Sequence, residues 1–199
     1  MLKAGITLYF VRHGETDWNA VRRYQGQTDT PLNDKGRGQA ARNGRELGRI
    51  LDGQIASFDF VASPLMRTAD TMRIIRGEMG LDPEAFARED LLKEINFGHW
   101  EGQIWDDLPN SDPEEFAARK ADPYRWRPRN GESYEDLARR AGLWLASLER
   151  DTVAVSHGGS MALAGVTERT RELLRVTSLD IVWPIYENKQ EAIAALELD

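Results

Sequence analysis

A chain of 199 residues, 41% hydrophobic and 30% charged, has the size and make-up of one globular domain with a full core, residues 1–199 as a single unit. It contains no cysteine, which excludes disulfides and thiolate metal sites. A net charge of −7 argues against a general nucleic-acid binder, but leaves room for an anionic substrate, because local arginines can outweigh the global balance within a Debye length of about 8 Å.

No apolar run approaches the length of a membrane span, and the first residues lack the apolar stretch of a signal peptide. The expectation is a cytoplasmic protein with no membrane partner. Residues 5–11 read as a short apolar strand of the buried, parallel type. Pro31-Leu32-Asn33-Asp34 turns into a helix over about 35–51, whose four glycines require support from packing. Residues 58–63 predict a second strand, ended by Pro64, and a helix follows over about 65–78. A third strand is expected within 87–97. Residues 98–132 carry three tryptophans and four prolines, and read as an excursion with one short helix (113–120) and no sheet strand. Long ordered loops of this kind commonly form lids or substrate walls. Here Trp105, Tyr124, Trp126 and Arg127 are the candidate wall residues. Ser133-Tyr134-Glu135-Asp136 resembles a capping box and opens a helix to about 149, with Leu137, Ala141, Trp144, Leu145 and Leu148 on one face. Residues 151–156 predict the next strand, Gly159-Ser160 the start of another helix, and 196–198 a closing strand. Strands alternating with helices point to a mostly parallel sheet covered on both faces.

The chain has only three histidines, and two occupy the same kind of place. His13 leaves the first strand and is followed by Gly14; His157 leaves the strand at 151–156 and is followed by Gly158-Gly159. In an open α/β sheet, ligands bind outside the carboxyl ends of the strands. A single Arg-His pair after a strand reads most simply as structural, but a second histidine at an equivalent exit reverses that reading. Arg12, Asn19, Arg22 and Arg23 cluster with His13, and Arg67 lies just after the second strand. Guanidinium forks match phosphate oxygens, and a neutral imidazole can attack phosphorus. Gly158-Gly159 offers exposed amides at a helix start. Glu94, expected near the end of the third strand, is the best-placed carboxyl for general acid catalysis, with Glu15, Glu89 and Glu101 as competitors. His99 follows no strand, and a packing role is favoured for it. Asp90, Glu94, Glu101, Asp106 and Asp107 admit a carboxylate metal site, but no HExxH or EF-hand spacing supports one.

These residues sit in a longer series of motifs: Val11-Arg12-His13-Gly14-Glu15-Thr16, Trp18-Asn19, Gln25-Gly26, Pro31-Leu32, Ser63-Pro64-Leu65 with Arg67-Thr68-Ala69, Leu92 and Glu94, Trp100-Glu101-Gly102, Gly131-Glu132-Ser133 and Val155-Ser156-His157-Gly158-Gly159. The series resembles the histidine phosphatase superfamily, the phosphoglycerate mutase-like group, over about residues 5–165. The resemblance implies a three-layer α/β/α sandwich with a mostly parallel central sheet, and a phosphohistidine mechanism without metal or other cofactor. His13 would be the nucleophile. Arg12, Arg67 and His157 would hold the phosphate, with Asn19, Gln25, Gly26 and the Gly158 amide assisting. Glu94 would give a proton to the leaving oxygen and then take one from water. Gln25-Gly26 and Trp100-Glu101-Gly102 look like the phosphatase branch, and the paired arginines of the mutases are missing from 105–130. The implied activity is hydrolysis of a small phosphorylated metabolite. A cofactor-dependent phosphoglycerate mutase is the alternative, and a non-catalytic phosphate-binding relative is a third reading, against which the intact catalytic set argues. The sequence departs from the family after Met161, where the usual arginine is missing from Met161-Ala162-Leu163-Ala164, and 181–199 fit poorly.

Overall fold

The computed structural model describes residues 5–158. Four strands form one parallel sheet: β1 (Leu8–Arg12), β2 (Asp59–Ala62), β3 (Ala87–Arg88) and β4 (Thr152–Ser156), in the order β1-β4-β2-β3. β4 runs between β1 and β2, and all five of its residues are buried. That is why its centre, Val153-Ala154-Val155, is apolar without alternation. The flanking strands do alternate. Tyr9, Val11, Phe60 and Ala62 pack into a core beneath helices α2 (Asp34–Ile50) and α3 (Met66–Glu78). Leu8, Phe10 and Val61 pack on the opposite face with Trp144 and Leu148. Trp144 belongs to α6 (Tyr134–Ser147), so helices cover both faces and the three-layer arrangement holds.

The helices begin where short-range chemistry places them. Asn33 caps α2 by accepting from the Gly36 amide (2.8 Å). The Ser133/Asp136 capping box forms at the start of α6 as the sequence predicts, with the Ser133 hydroxyl accepting from Asp136 N (3.2 Å) and the Asp136 carboxylate from Ser133 N (3.0 Å). Asp29, distant in sequence, accepts from Met66 N (2.6 Å) at the first turn of α3. Two of the glycines in α2 mark close approach. A Cβ on Gly44 would lie 2.8 Å from Ile75 O on α3, and one on Gly36 would lie 2.1 Å from Glu15 O.

Two expectations need correction. The third strand is only the two exposed residues of β3, and the apolar residues after it are buried by other means. Leu92 packs in the core beneath α6, and Ile95 joins a separate cluster, so the segment turns instead of continuing the ladder. The 98–132 excursion holds more helix than predicted: α4 (Leu108–Ser111) precedes α5 (Pro113–Ala121), and an early turn α1 (Asp17–Ala20) lies opposite. The excursion is a packed wall. Phe97, Trp100, Leu108 and Leu137 form its core with Tyr24, Trp105, Phe116 and Trp126 around them. It is tied to residues 22–24 by Tyr24 N to Gln103 O (2.9 Å), Gly102 N to Tyr24 O (2.8 Å) and Trp105 N to Arg22 O (3.0 Å). The helix expected from 159 and the strand expected at 196–198 lie outside the described residues.

Candidate active site

Strand register brings the site together. Arg12 stands opposite Ser156, and Ala62 opposite Val155, so three strands end at one level. The next residues continue that row: His13 N donates to Ser156 O (3.0 Å) and Ser63 N to Val155 O (3.0 Å). His13, Ser63 and His157 therefore leave the sheet side by side at its carboxyl edge. The His13 and His157 rings are 5.1 Å apart, edge to face, and both are buried.

The His13 tautomer follows from its partner. Nδ1 lies 2.7 Å from Gly14 O, and a carbonyl can only accept, so Nδ1 carries the hydrogen and Nε2 the lone pair. Gly14 is itself held by its amide donating to the Thr71 hydroxyl (3.0 Å), and a Cβ there would lie 2.2 Å from Gly36 O. Burial drives the His13 pKa well below its ordinary value, and the Arg67 and Arg12 guanidiniums push it further the same way. His157 is depressed likewise by burial, then by Arg67, His13 and Arg12. Its Nε2 meets Ser63 Oγ at 2.9 Å, while Nδ1 has no hydrogen-bond partner among the described residues and faces Glu94 Oε2 at 4.0 Å.

Arg67, fully buried in the first turn of α3, donates from Nη1 to Thr28 O (3.0 Å) and from Nη2 to Gly26 O (2.7 Å). Its Nε has no hydrogen-bond partner among the described residues. Burial lowers its pKa, with Glu94, Asp29 and Glu101 acting in the other direction. Arg12 shows the same balance, burial against Glu94. Gly26 has φ +51°, and a Cβ there would run into the Glu101 carboxylate. That carboxylate clasps the loop, accepting from Gln27 N (2.9 Å) and Thr28 N (3.0 Å). The Glu94 carboxyl lies beside His157, Oε1 accepting from Ile95 N (3.0 Å). Burial raises its pKa, only partly opposed by Arg67, the Ile95 amide and Arg12.

Arg12, His13, Arg67, Glu94 and His157 are thus one cluster. Glu94 reaches it from a turn rather than from a strand end. The competing carboxylates are committed elsewhere: Glu15 to Lys35 (2.7 Å) and Asn33 (3.1 Å), Glu89 to Leu91 N (2.9 Å), and Glu101 to the loop it clasps. Asn19 Oδ1 accepts from Thr16 N (3.1 Å) in the cap of α1. The Gln25 amide oxygen takes the hydroxyls of Thr16 and Thr30, which sets the start of the loop under Arg67. Gly158 is buried directly after His157. Arg22 pairs with exposed Asp106 (3.3 Å), and Arg23 lies over the Trp18 ring. His99 has the packing role expected of it, sharing Asp112 Oδ2 with the Trp100 indole at 2.9 Å each. The carboxylates weighed as a metal site do not converge, and no group of three or more His, Cys, Asp or Glu among the described residues could hold an ion. Sequence reading missed Ser63, Thr71 and Arg140 as neighbours of these groups. Ser63 alone had a usable signal, its place at the exit of β2.

A family model matches residues 8–179, and it is that of the histidine phosphatase superfamily (branch 1).

The chain belongs to the histidine phosphatase superfamily.

Within this superfamily it is similar to an adenosylcobalamin/alpha-ribazole phosphatase of Salmonella typhimurium, 35% identical over 162 residues, covering 78% of this chain and 76% of the relative. It is also similar to a 2,3-bisphosphoglycerate-dependent phosphoglycerate mutase of Beijerinckia indica, 32% identical over 176 residues, covering 82% and 83%. Among solved structures, mycobacterial glucosyl-3-phosphoglycerate phosphatase in complex with VO3 superimposes with a TM-score of 0.64 at 32% identity, covering 78% of this chain and 77% of that one. As a histidine phosphatase superfamily member, the chain has the phosphoglycerate mutase-like fold expected from its sequence.

Proposed function

We propose that this histidine phosphatase superfamily member is a phosphomonoesterase that works through a phosphohistidine on His13, acting on a small phosphorylated metabolite. The observation that carries the reading is His13 itself: Nδ1 tied to Gly14 O, the ring held neutral by burial and by Arg67 and Arg12, and Nε2 left as lone pair. In the first step that lone pair forms a bond to phosphorus while the bond to the ester oxygen breaks, and protonated Glu94 gives its proton to the departing oxygen. In the second step water attacks phosphorus and gives its proton to the Glu94 carboxylate. The phosphorus–nitrogen bond breaks, its electrons return to His13 Nε2, and inorganic phosphate leaves. With the Ser63 hydroxyl donating to its Nε2, His157 carries its hydrogen on Nδ1, and in this scheme that hydrogen, Arg12 and Arg67 face the non-bridging oxygens, where fixed donors stabilise the transferring group most. Asn19, its Oδ1 engaged by Thr16, offers its Nδ2 hydrogens, and Gly158 its amide. Gln25 and Gly26 act through the loop that orients Arg67. The guanidiniums supply the positive charge that a metal would otherwise bring.

The named phosphatase relatives support hydrolysis. The mutase relative favours a second reading, isomerisation. The basic residues of the excursion weigh against it. Arg119 is buried against the Trp105 ring, Arg127 is paired with Asp136, and Arg125 with Asp122 (3.7 Å). These three arginines already have partners, in the wall or at the start of α6, instead of standing free to hold a second charged group of a substrate.

The test is trapping. Substrate labelled in its phosphoryl group, mixed with enzyme and quenched in alkaline denaturant, should leave label on His13. His13→Ala should fold, carry no label and turn nothing over. Label on a serine or an aspartate would sink the covalent scheme.

A further inference from the structure

Residues 89–97 deliver Glu94 to the site beyond the end of a strand. β3 stops at Arg88, Glu89 N to Ala62 O (2.9 Å) is the last main-chain bond to a neighbouring strand, and the Ser156 hydroxyl at the end of β4 donates to Leu92 O (2.8 Å). The carbonyls that follow need other donors, since buried main-chain acceptors left unpaired are costly. One side chain supplies three of them. Arg140, on α6, donates from Nη1 to Leu91 O (2.7 Å) and Lys93 O (2.6 Å), and from Nη2 to Glu94 O (2.8 Å). Its remaining hydrogens go to Glu132, Nη2 to Oε2 (3.0 Å) and Nε to Oε1 (3.1 Å). All five donors of the guanidinium are in use. Glu132 Oε2 also accepts from Asn96 N (3.0 Å), and Glu132 N donates to Asn96 O (2.8 Å), so the segment is gripped on both sides of Glu94.

We propose that Arg140 is a positioning residue for proton transfer: by holding the main chain at Leu91, Lys93 and Glu94 it sets the Glu94 carboxyl beside His157 in the cluster. The proposal rests on the reading of Glu94 as the general acid. A planar fork can bind three carbonyls and a carboxylate at once, and a lysine, with three donors on a flexible stem, cannot. Arg140 bonds the main chain and not the Glu94 carboxyl, while its charge also acts through space to lower the pKa values of Glu94 and His157; Arg140→Lys keeps the charge and Arg140→Gln does not, which separates the two effects.

The experiment compares single-turnover phosphoryl transfer from an alkyl phosphate and from p-nitrophenyl phosphate, in wild type, Arg140→Gln, Arg140→Lys, Glu132→Gln and Glu94→Gln. The alkyl leaving group needs a proton, whereas the nitrophenolate scarcely does. Arg140→Gln is expected to slow the alkyl reaction by about 10- to 100-fold and the aryl reaction by less than about threefold. Arg140→Lys should recover part of the loss, and Glu132→Gln should show a smaller loss with the same leaving-group bias. Arg140→Gln added to Glu94→Gln should cost the alkyl reaction nothing more, because both remove one function. Equal losses on the two substrates, or full additivity in the double variant, overturn the proposal and leave Arg140 a stability residue. If Arg140→Gln does not fold, Arg140→Lys and Glu132→Gln carry the same comparison. Wild type inert towards both substrates would instead remove the phosphatase reading, and the positioning role with it. Turnover with a Glu94→Gln loss blind to the leaving group would remove only the role of Glu94, and so this proposal.

Discussion

At the residue scale, the chemistry needs His13 without its proton and Glu94 with one, and the environments of the two move their pKa values toward that state. Burial, Arg67 and Arg12 push His13 well below an ordinary imidazole. Burial lifts Glu94 above an ordinary carboxyl against the pull of Arg67. Activity on an alkyl phosphate should therefore rise as pH increases through the depressed His13 value and fall as pH increases through the raised Glu94 value. The expected kcat/KM profile is a bell, its rising limb set by His13 and its falling limb by Glu94. Glu94→Gln should abolish the falling limb and cost alkyl substrates about 10²- to 10⁴-fold, with far less effect on p-nitrophenyl phosphate. A falling limb that persists in Glu94→Gln would assign the acid to another group. Glu15 and Glu101 are poor substitutes, since Lys35 engages one and the 26–28 loop the other.

At the element scale, the position of the site depends on how closely α2 lies on α3 and on β1's exit. Gly44 lies where α2 meets Ile75 and Glu78 of α3, and an added Cβ would come within 2.8 Å of both. Gly38, on the same helix, has open space around it. Two substitutions of identical chemistry should then differ in sign. Gly38→Ala should stabilise by up to about 1 kcal/mol, because alanine is the better helix former. Gly44→Ala should destabilise, since forcing the helices apart costs about 1–3 kcal/mol, more than the propensity gained. Denaturant midpoints of the two variants measure this directly, and a Gly44→Ala protein as stable as wild type would mean that the helix contact yields freely. The start of α6 matters in the same way. Ser133→Ala should cost about 1 kcal/mol, and it loosens the helix that carries Arg140.

At the scale of the whole molecule, a chain of net charge −7 sets two guanidiniums, those of half-buried Arg12 and fully buried Arg67, at the sheet's carboxyl edge. A packed aromatic wall stands beside them, its Arg119, Arg125 and Arg127 already partnered. Given 3-phosphoglycerate with and without 2,3-bisphosphoglycerate, the protein should release phosphate faster than it forms the isomer. Isomer formation outrunning release would move it to the mutase branch. The same assay after dialysis against a chelator should give an unchanged rate, and a loss restored by magnesium or zinc would contradict the arginine-based scheme.

The sequence by itself determined the features whose partners lie next to them in the chain. Apolar runs ending in His13-Gly14 and His157-Gly158 announced strands and their exits, and Ser133 with Asp136 announced the helix they cap. Each of these interactions closes within a few residues, so residue type and spacing are enough to see it. The tertiary structure decided the rest. Glu94 was expected at a strand end, yet the strand stops six residues earlier because its apolar neighbours are buried by α6 and by the wall core, not by a ladder. Its delivery depends on Arg140, 46 residues further along, and the orientation of His157 depends on Ser63, 94 residues before it. No period or spacing links such pairs. They meet only because parallel register sets strands far apart in sequence side by side, and because a polar group buried there must take its partner from whatever the fold brings within reach.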